Sequence, residues 1–170
     1  MVEPILYTDG VIILAFDPGL ERTGYALFDI QGSKYTLGAH GCITTPKTHT
    51  LEARLHQLYE AVEKIIVRYR PKAIAIEKLF FNINKKTVIA VAQGQGTLLA
   101  LAGKYGAAVT FLTPSEVKLA LTGYGNSDKK GVEKMVLMLL GIKVAPKPDD
   151  VVDAIACGLA YCTIKKFAHL

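Results

Sequence analysis

Two acidic residues stand where a carboxylate is hard to explain as an ordinary surface charge. Asp17 directly follows the apolar run of residues 11–16, and Pro18-Gly19 ends that run. Glu77 follows a second, shorter apolar run. Short apolar runs bounded by turn residues are typical of buried strands, where a carboxylate is costly to bury unless a cation or a hydrogen-bond donor satisfies it. Because ligands bind at the carboxyl ends of strands in open α/β sheets, both acids are candidate site residues.

Further acids begin the last predicted helix, in the stretch PDDVVDAIACGLAYC. Asp150 and Asp153 are spaced to share one face of a helix, and Asp149 and Asp153 would share a face as well. The spacing alone does not choose between Asp149 and Asp150. One of these two adjacent acids can serve as a helix cap or a partner of the helix dipole. Asp153 lies one turn into the helix between apolar neighbours, so a cap does not explain it.

Carboxylates gathered in one place repel one another, and each would have its pKa raised. A divalent cation reverses that electrostatic cost. Oxygen-only ligands favour Mg²⁺ or Mn²⁺ over zinc. Two such ions, about 4 Å apart, can stabilise both the attacking and the leaving oxygen in phosphoryl transfer. The acids therefore indicate metal-dependent phosphoryl-transfer chemistry.

The elements that must position these acids follow from hydrophobic periodicity and turn residues. Short turns between the first three strands predict antiparallel hairpins, and a strand–helix–strand pattern predicts a parallel pair. Thr50 and Ser127 are predicted helix N-caps, and Pro71 is a predicted helix end. We expect one α/β domain, residues 1–170, with residues 1–10 as a short N-terminal extension. The predicted strands are 11–16, 23–30, 34–44, 73–76 and 107–112, and the predicted helices are 51–70, 87–105, 114–121, 129–140 and 149–167.

Composition narrows the class of protein. The chain has 170 residues and a formal net charge of +5, a mild basic excess that suits a polyanionic partner such as nucleic acid. Its three cysteines form no CxxC pair, and its four histidines show no zinc-ligand spacing. The sequence shows neither a signal peptide nor an apolar stretch of about 20 residues. We expect a cytoplasmic protein with reduced thiols and no membrane contact.

Three stretches, LAFDPGLERTGYALFD, IAIEKLFFN and PKPDDVVDAIACGLAYC, resemble the RuvC Holliday-junction resolvases in order and spacing. The resemblance implies an RNase H-like fold with a central mixed five-stranded sheet flanked by helices. It implies a homodimer that uses Mg²⁺, with Mn²⁺ as a substitute and two ions per site, to nick four-way DNA junctions symmetrically in recombination and repair. It also implies a RuvA–RuvB partner, and it selects Asp150 over Asp149. The catalytic and metal-binding residues that it implies are Asp17, Glu77, Asp150 and Asp153, here called the acidic tetrad.

The same resemblance assigns residues around the tetrad. Lys118 and Lys129 match lysines near the scissile phosphate, where a cation stabilises developing negative charge. Phe80 matches a residue that stacks on bases at the junction centre. Gln95 departs from the family pattern, which has an arginine there, so any phosphate contact of that arginine is in doubt. The other expected DNA contacts are Phe81, Asn84, Lys85, Lys86 and Lys130.

Other functions remain open from the sequence. An apolar strand followed by Asp-x-Gly and Thr-Gly also opens the nucleotide-binding domains of actin-like ATPases and sugar kinases, although the second phosphate loop of that class is not apparent. A YqgF-like RNA-processing nuclease of the same superfamily and an inactive junction-binding relative are further alternatives. The helix 87–105 is apolar on most faces and offers a surface for a second subunit. Nothing in the sequence assigns a role to the loop residues Leu20, Glu21 and Arg22.

Overall fold

The computed structural model describes residues 10–78 and 85–167. Within these ranges the chain forms one five-stranded sheet and five helices. The strands are β1 (Val11–Asp17), β2 (Arg22–Gln31), β3 (Lys34–Thr44), β4 (Ala73–Glu77) and β5 (Ala108–Leu112), and the helices are α1 (Leu51–Tyr69), α2 (Lys85–Tyr105), α3 (Pro114–Thr122), α4 (Lys129–Leu140) and α5 (Asp149–Phe167).

The sheet has the order β3-β2-β1-β4-β5 and mixes both kinds of pairing. The hairpins β1–β2 and β2–β3 are antiparallel, whereas β4 pairs in parallel with β1 and β5. The predicted mixed five-stranded sheet is therefore confirmed. Because β1 and β4 are adjacent and parallel, their carboxyl ends meet at one edge of the sheet.

Alternating side chains of the strands serve two separate cores. Leu14 and Phe16 of β1 face a cluster built with α1 and α2. Ile13 and Ala15 of the same strand face the opposite cluster, which contains much of α5. All four side chains are buried. Burial on both faces explains why β1 reads as a continuous apolar run rather than an alternating one.

Several element ends differ from the sequence-based predictions. Asp128, not Ser127, caps α4: its Oδ1 accepts a hydrogen bond of 2.7 Å from the backbone N–H of Gly131. Thr50 has the extended backbone of an N-cap, but its side chain makes no capping hydrogen bond. Helix α1 ends because Arg70 adopts a left-handed conformation, one residue before Pro71.

Helix α2 begins at Lys85, two residues before its predicted start, and the acids at the ends of β1 and β4 belong to those strands. The predicted extension, apart from its last residue, lies outside the described residues. No helix in the described ranges has the length and apolar character needed to cross a membrane.

Candidate active site

Asp17 and Glu77 end the two central parallel strands, side by side. Phe16 is in register with Ile76, so the next residue of each strand is one of these acids. Burial, followed by the charges of Glu77, Asp153 and Asp150, raises the pKa of Asp17 to about 7, with Lys129 partly offsetting these effects. Burial, followed by the charge of Asp153, also raises the pKa of Glu77 to about 7. These carboxylates are close enough to penalise each other's ionisation.

Asp150 and Asp153 come from the first turns of α5, which lies tightly on β1 and β2. A β-carbon at Gly24 of β2 would lie 1.8 Å from the main-chain oxygen of Asp150. Further along the helix, a β-carbon at Gly158 would lie 2.3 Å from the ring of Phe28. These two glycines let the helix approach the sheet, and its acids thereby reach the edge where Asp17 lies.

The structure distinguishes the two adjacent acids that sequence spacing left open. The side chain of Asp149 is 61% exposed, and its Oδ1 lies 3.2 Å from the ammonium of Lys147. The side chain of Asp150 is only 19% exposed, and its charge contributes to the raised pKa of Asp17. Asp150 is therefore the one that joins the other acids, in agreement with the family pattern.

Side-chain cations surround the acidic tetrad. The ammonium of Lys129, the first residue of α4, lies 2.9 Å from Oδ2 of Asp153. Lys118 of α3 is close enough for its charge to lower the pKa of Glu77, against the larger effect of burial. A cleft of about 250 Å³ runs between α3, α4 and α5 and brings both lysines together with two of the acids. Its lining residues are Glu77, Pro114, Val117, Lys118, Lys129, Val132, Asp153 and Ala156.

Most of the remaining predicted DNA contacts lie wholly or partly outside the part of the chain that the structure describes. Phe80, Phe81 and Asn84 lie outside the described residues. Lys85 and Lys86 begin helix α2, and their side chains are likewise outside the description. Lys130 is exposed beside Lys129 on α4. The amide of Gln95, at the family's arginine position, donates a hydrogen bond of 3.4 Å to the main-chain oxygen of Glu77, so this residue supports the end of β4.

Sequence reasoning missed two residues of β2. Nε of Arg22 lies 3.0 Å from Oδ2 of Asp150, so a second cation pairs with the tetrad, through a different acid from the one that Lys129 contacts. Gly24, described above, allows α5 to pack closely on β2. Both roles depend on how β2 packs against a helix more than 100 residues later in the chain. The only sequence signal was the Thr-Gly pair that follows the first turn.

The tetrad fits a hard divalent cation by its donor chemistry, because all of its donors are carboxylate oxygens. The raised pKa values of Asp17 and Glu77 show a site where negative charge is undercompensated. Within residues 10–78 and 85–167, however, no three Asp, Glu, His or Cys side chains are already arranged as a metal cage. Two acids instead direct an oxygen towards a side-chain cation, Asp150 towards Arg22 and Asp153 towards Lys129.

Known proteins are similar to this chain over most of its length. A family model described as crossover junction endodeoxyribonuclease RuvC matches residues 13–161. The crossover junction endodeoxyribonuclease RuvC of Heliobacterium modesticaldum is 40% identical over 149 residues, covering 88% of this chain and 92% of that protein. The RuvC of Rubrobacter xylanophilus is 41% identical over 158 residues, covering 93% of this chain and 86% of that protein.

A solved structure is also similar over nearly its whole length. Thermus thermophilus RuvC in complex with a Holliday junction substrate superposes with a TM-score of 0.87 at 28% sequence identity. The match covers 93% of this chain and 96% of that one. The fold described above is therefore shared with a protein solved in complex with a Holliday junction substrate.

Proposed function

The chain belongs to the RuvC family of crossover junction endodeoxyribonucleases, and we propose that it resolves four-way Holliday junctions by paired, symmetric nicks during recombination and repair. The fold is RNase H-like, as in the matched Thermus structure. The observation that carries the proposal is the convergence of acids from β1, β4 and α5, two of which line one cleft together with two lysines. The nucleotide-kinase and RNA-processing alternatives are not favoured, since the family match spans residues 13–161. We take residues 1–170 as a single nuclease domain.

The family consists of metal-dependent nucleases, and the acidic tetrad supplies the residues that would hold the metal here. Mg²⁺, with Mn²⁺ as a substitute, suits this all-oxygen donor set, and four carboxylates suffice for two ions. When bound, such ions neutralise charge that develops on the phosphate oxygens during hydrolysis. Asp17 is the central ligand in this scheme, because the other three acids all raise its pKa.

The lysines of the cleft act on the phosphate directly in this proposal. Lys129 is the first residue of α4, where a positive charge is unfavourable for the helix dipole. Its Asp153 partner and, in this proposal, a DNA phosphate offset that cost. Lys118 projects towards the same cleft from α3. Both ammonium groups would stabilise negative charge on the scissile phosphate without any rearrangement of the fold.

DNA binding beyond the cleft is assigned from the family pattern. Phe80 stacks on an unpaired base at the junction centre, and Phe81 is a further DNA contact. The segment that follows runs into the start of α2 and contacts the phosphate backbone, which fixes the position of the duplex arms without reading sequence. Its residues in this role are Asn84, Lys85 and Lys86, with Lys130 as a further contact on α4.

A homodimer follows from the symmetry of the proposed reaction, because two symmetric nicks require two related sites. On helix α2, Ile89 is 65% exposed and Leu99 is 38% exposed, and these apolar side chains support a subunit interface on that helix. A RuvA–RuvB branch-migration complex is an expected partner from the family resemblance. A chromosomal DNA substrate places the activity in the cytoplasm, and the three free cysteines agree with that compartment.

The experiment that tests this function compares substrates. The full chain is incubated with Mg²⁺ and a four-way DNA junction, a linear duplex of the same sequence, or a structured RNA, and products are mapped on each strand. We expect paired nicks at symmetric positions of the junction and little cleavage of the duplex or the RNA. Preferential cleavage of RNA would favour the RNA-processing alternative, and tight ATP binding without DNA binding would favour the kinase-like one.

A further inference from the structure

Arg22 and Asp150 form an ion pair at the rim of the acidic tetrad. Nε of Arg22 lies 3.0 Å from Oδ2 of Asp150, and the arginine side chain is 54% exposed whereas the aspartate side chain is 19% exposed. The contact lacks hydrogen-bond geometry, since Oδ2 of Asp150 is buried and accepts no hydrogen bond. Because the guanidinium is largely exposed and no hydrogen bond fixes it to Oδ2, the arginine side chain can take another anionic partner when Asp150 is neutralised.

The backbone that carries Arg22 is fixed, although its side chain is exposed. The hydroxyl of Thr23 donates to the main-chain oxygen of Gly19, and the hydroxyl of Thr45 donates to that of Leu20. The backbone N–H of Thr45 donates to the main-chain oxygen of Glu21 at 2.9 Å. A rigid loop with one long, exposed side chain can turn its guanidinium between two partners without moving the strand.

In the described part of the chain, two other acids lie within electrostatic range of the guanidinium, but each has a lysine partner. Asp149 is bound by the ammonium of Lys147 at 3.2 Å. Glu21, the adjacent acid, is bound by the ammonium of Lys47 at 2.8 Å. Asp150 is itself a tetrad member that a divalent cation would engage. Once Asp150 is neutralised in that way, the guanidinium of Arg22 is left beside the tetrad without its Asp150 partner. Guanidinium groups match the geometry of phosphate oxygens.

We propose that Arg22 is a conditional DNA-backbone contact: it pairs with Asp150 while that carboxylate is free, and it binds a phosphate of the junction once Asp150 is neutralised. The role rests on the proposed function, because it requires DNA at the tetrad. The role couples neutralisation of Asp150 to DNA binding, since a neutralised Asp150 leaves the guanidinium of Arg22 available for a DNA phosphate. Arg22 would thus add a cation beside Asp150 to the one that Lys129 supplies beside Asp153.

Salt dependence of junction binding tests this role without any metal. Each lysine or arginine that contacts a phosphate steepens the plot of log affinity against log salt concentration by about 0.9. Four full-length proteins are compared in EDTA: wild type, Arg22→Gln, Asp150→Asn and the double variant. We expect Arg22→Gln to leave the slope unchanged when Asp150 is present, and to reduce it by about 0.9 in the Asp150→Asn background.

Three results would overturn the proposal. An equal reduction by Arg22→Gln in both backgrounds means a permanent DNA contact, no reduction in either means no contact, and a reduction confined to the Asp150-containing background reverses the proposed exchange. Arg22→Lys, which keeps the charge, should retain the slope of its parent, and Lys47→Gln controls for any nearby cation. Circular dichroism confirms that each variant is folded.

Failure of the proposed function has a separate signature. If the wild-type protein binds a four-way junction no better than a linear duplex and cuts neither, the resolvase function is wrong, whatever the slopes. If it binds and cuts the junction while the slopes of the four proteins fail to show the expected pattern, only the role of Arg22 is wrong.

Discussion

The main-chain oxygen of Asp150 takes the space that a side chain at Gly24 would need, with 1.8 Å between that oxygen and the position of a β-carbon. Gly24→Ala must therefore push the start of α5 away from β2. We expect single-turnover cleavage to fall by about 10² or more, because misplacement by about 1 Å has effects of this size. The free energy of unfolding should fall by roughly 1–3 kcal/mol.

A matched glycine provides the control. A β-carbon at Gly103 of α2 would meet nothing within 4 Å, so Gly103→Ala should keep cleavage at the wild-type rate and raise stability by up to about 1 kcal/mol. Equal cleavage rates for Gly24→Ala and Gly103→Ala would contradict the role of Gly24.

The raised pKa values of Asp17 and Glu77 predict the pH dependence of stability in EDTA. Both values are about 7, above the ordinary values of 3.8 and 4.5. Between these limits the folded protein binds more protons than the unfolded chain, so stability falls as pH rises and levels off above the folded-state pKa. From about pH 5 to about pH 8, the two groups together should lower the free energy of unfolding by on the order of 5 kcal/mol, about 1.4 kcal/mol per pH unit for each group.

Urea unfolding at a series of pH values measures this drop. Asp17→Asn removes one of the two titrating groups and should give a markedly shallower pH dependence. Added Mg²⁺ should stabilise the protein more at the higher pH, because metal ligands must be deprotonated. Stability that stays flat or rises with pH in the wild-type protein would count against the burial of these charges.

Substitutions of two adjacent lysines distinguish a contribution to the cleavage step from a contribution to DNA binding alone. Lys129 contacts Asp153 at 2.9 Å and lines the cleft, whereas Lys130 is exposed and does not line it. We expect Lys129→Ala to reduce the cleavage rate of bound junction by about 10²–10³, as for loss of other groups that stabilise transition-state charge. Lys130→Ala should change only binding, and modestly. Rapid-quench cleavage at saturating protein measures the cleavage rate, and a binding titration measures the affinity. A larger loss of cleavage rate in Lys130→Ala than in Lys129→Ala would contradict the assignment.

Much of this architecture could be predicted because apolar runs and turn residues are local signals. The strand that ends in Asp17 and the one that ends in Glu77 were both found in this way, as was α5. Local signals were ambiguous at the start of α4, where Ser127 and Asp128 are both good N-cap residues and the structure uses the second.

The roles of Arg22 and Gly24 could not be predicted, for a different reason. Each depends on contact between β2 and the start of α5, a packing relationship that no local pattern encodes. The choice between Asp149 and Asp150 needed either the family pattern or the structure, since both residues are spaced to share a helix face with Asp153. Geometry therefore added the supporting residues, whereas the sequence had already indicated the acids.

The central claim is that the acidic tetrad performs metal-dependent cleavage of branched DNA, and Asp153→Asn tests it most directly. The substitution keeps the size of the side chain and removes one carboxylate charge. Wild-type and variant proteins are compared on one four-way junction, with binding measured in EDTA and cleavage measured in Mg²⁺. We predict junction binding close to wild type and loss of cleavage for the variant; cleavage by Asp153→Asn at the wild-type rate would contradict the account.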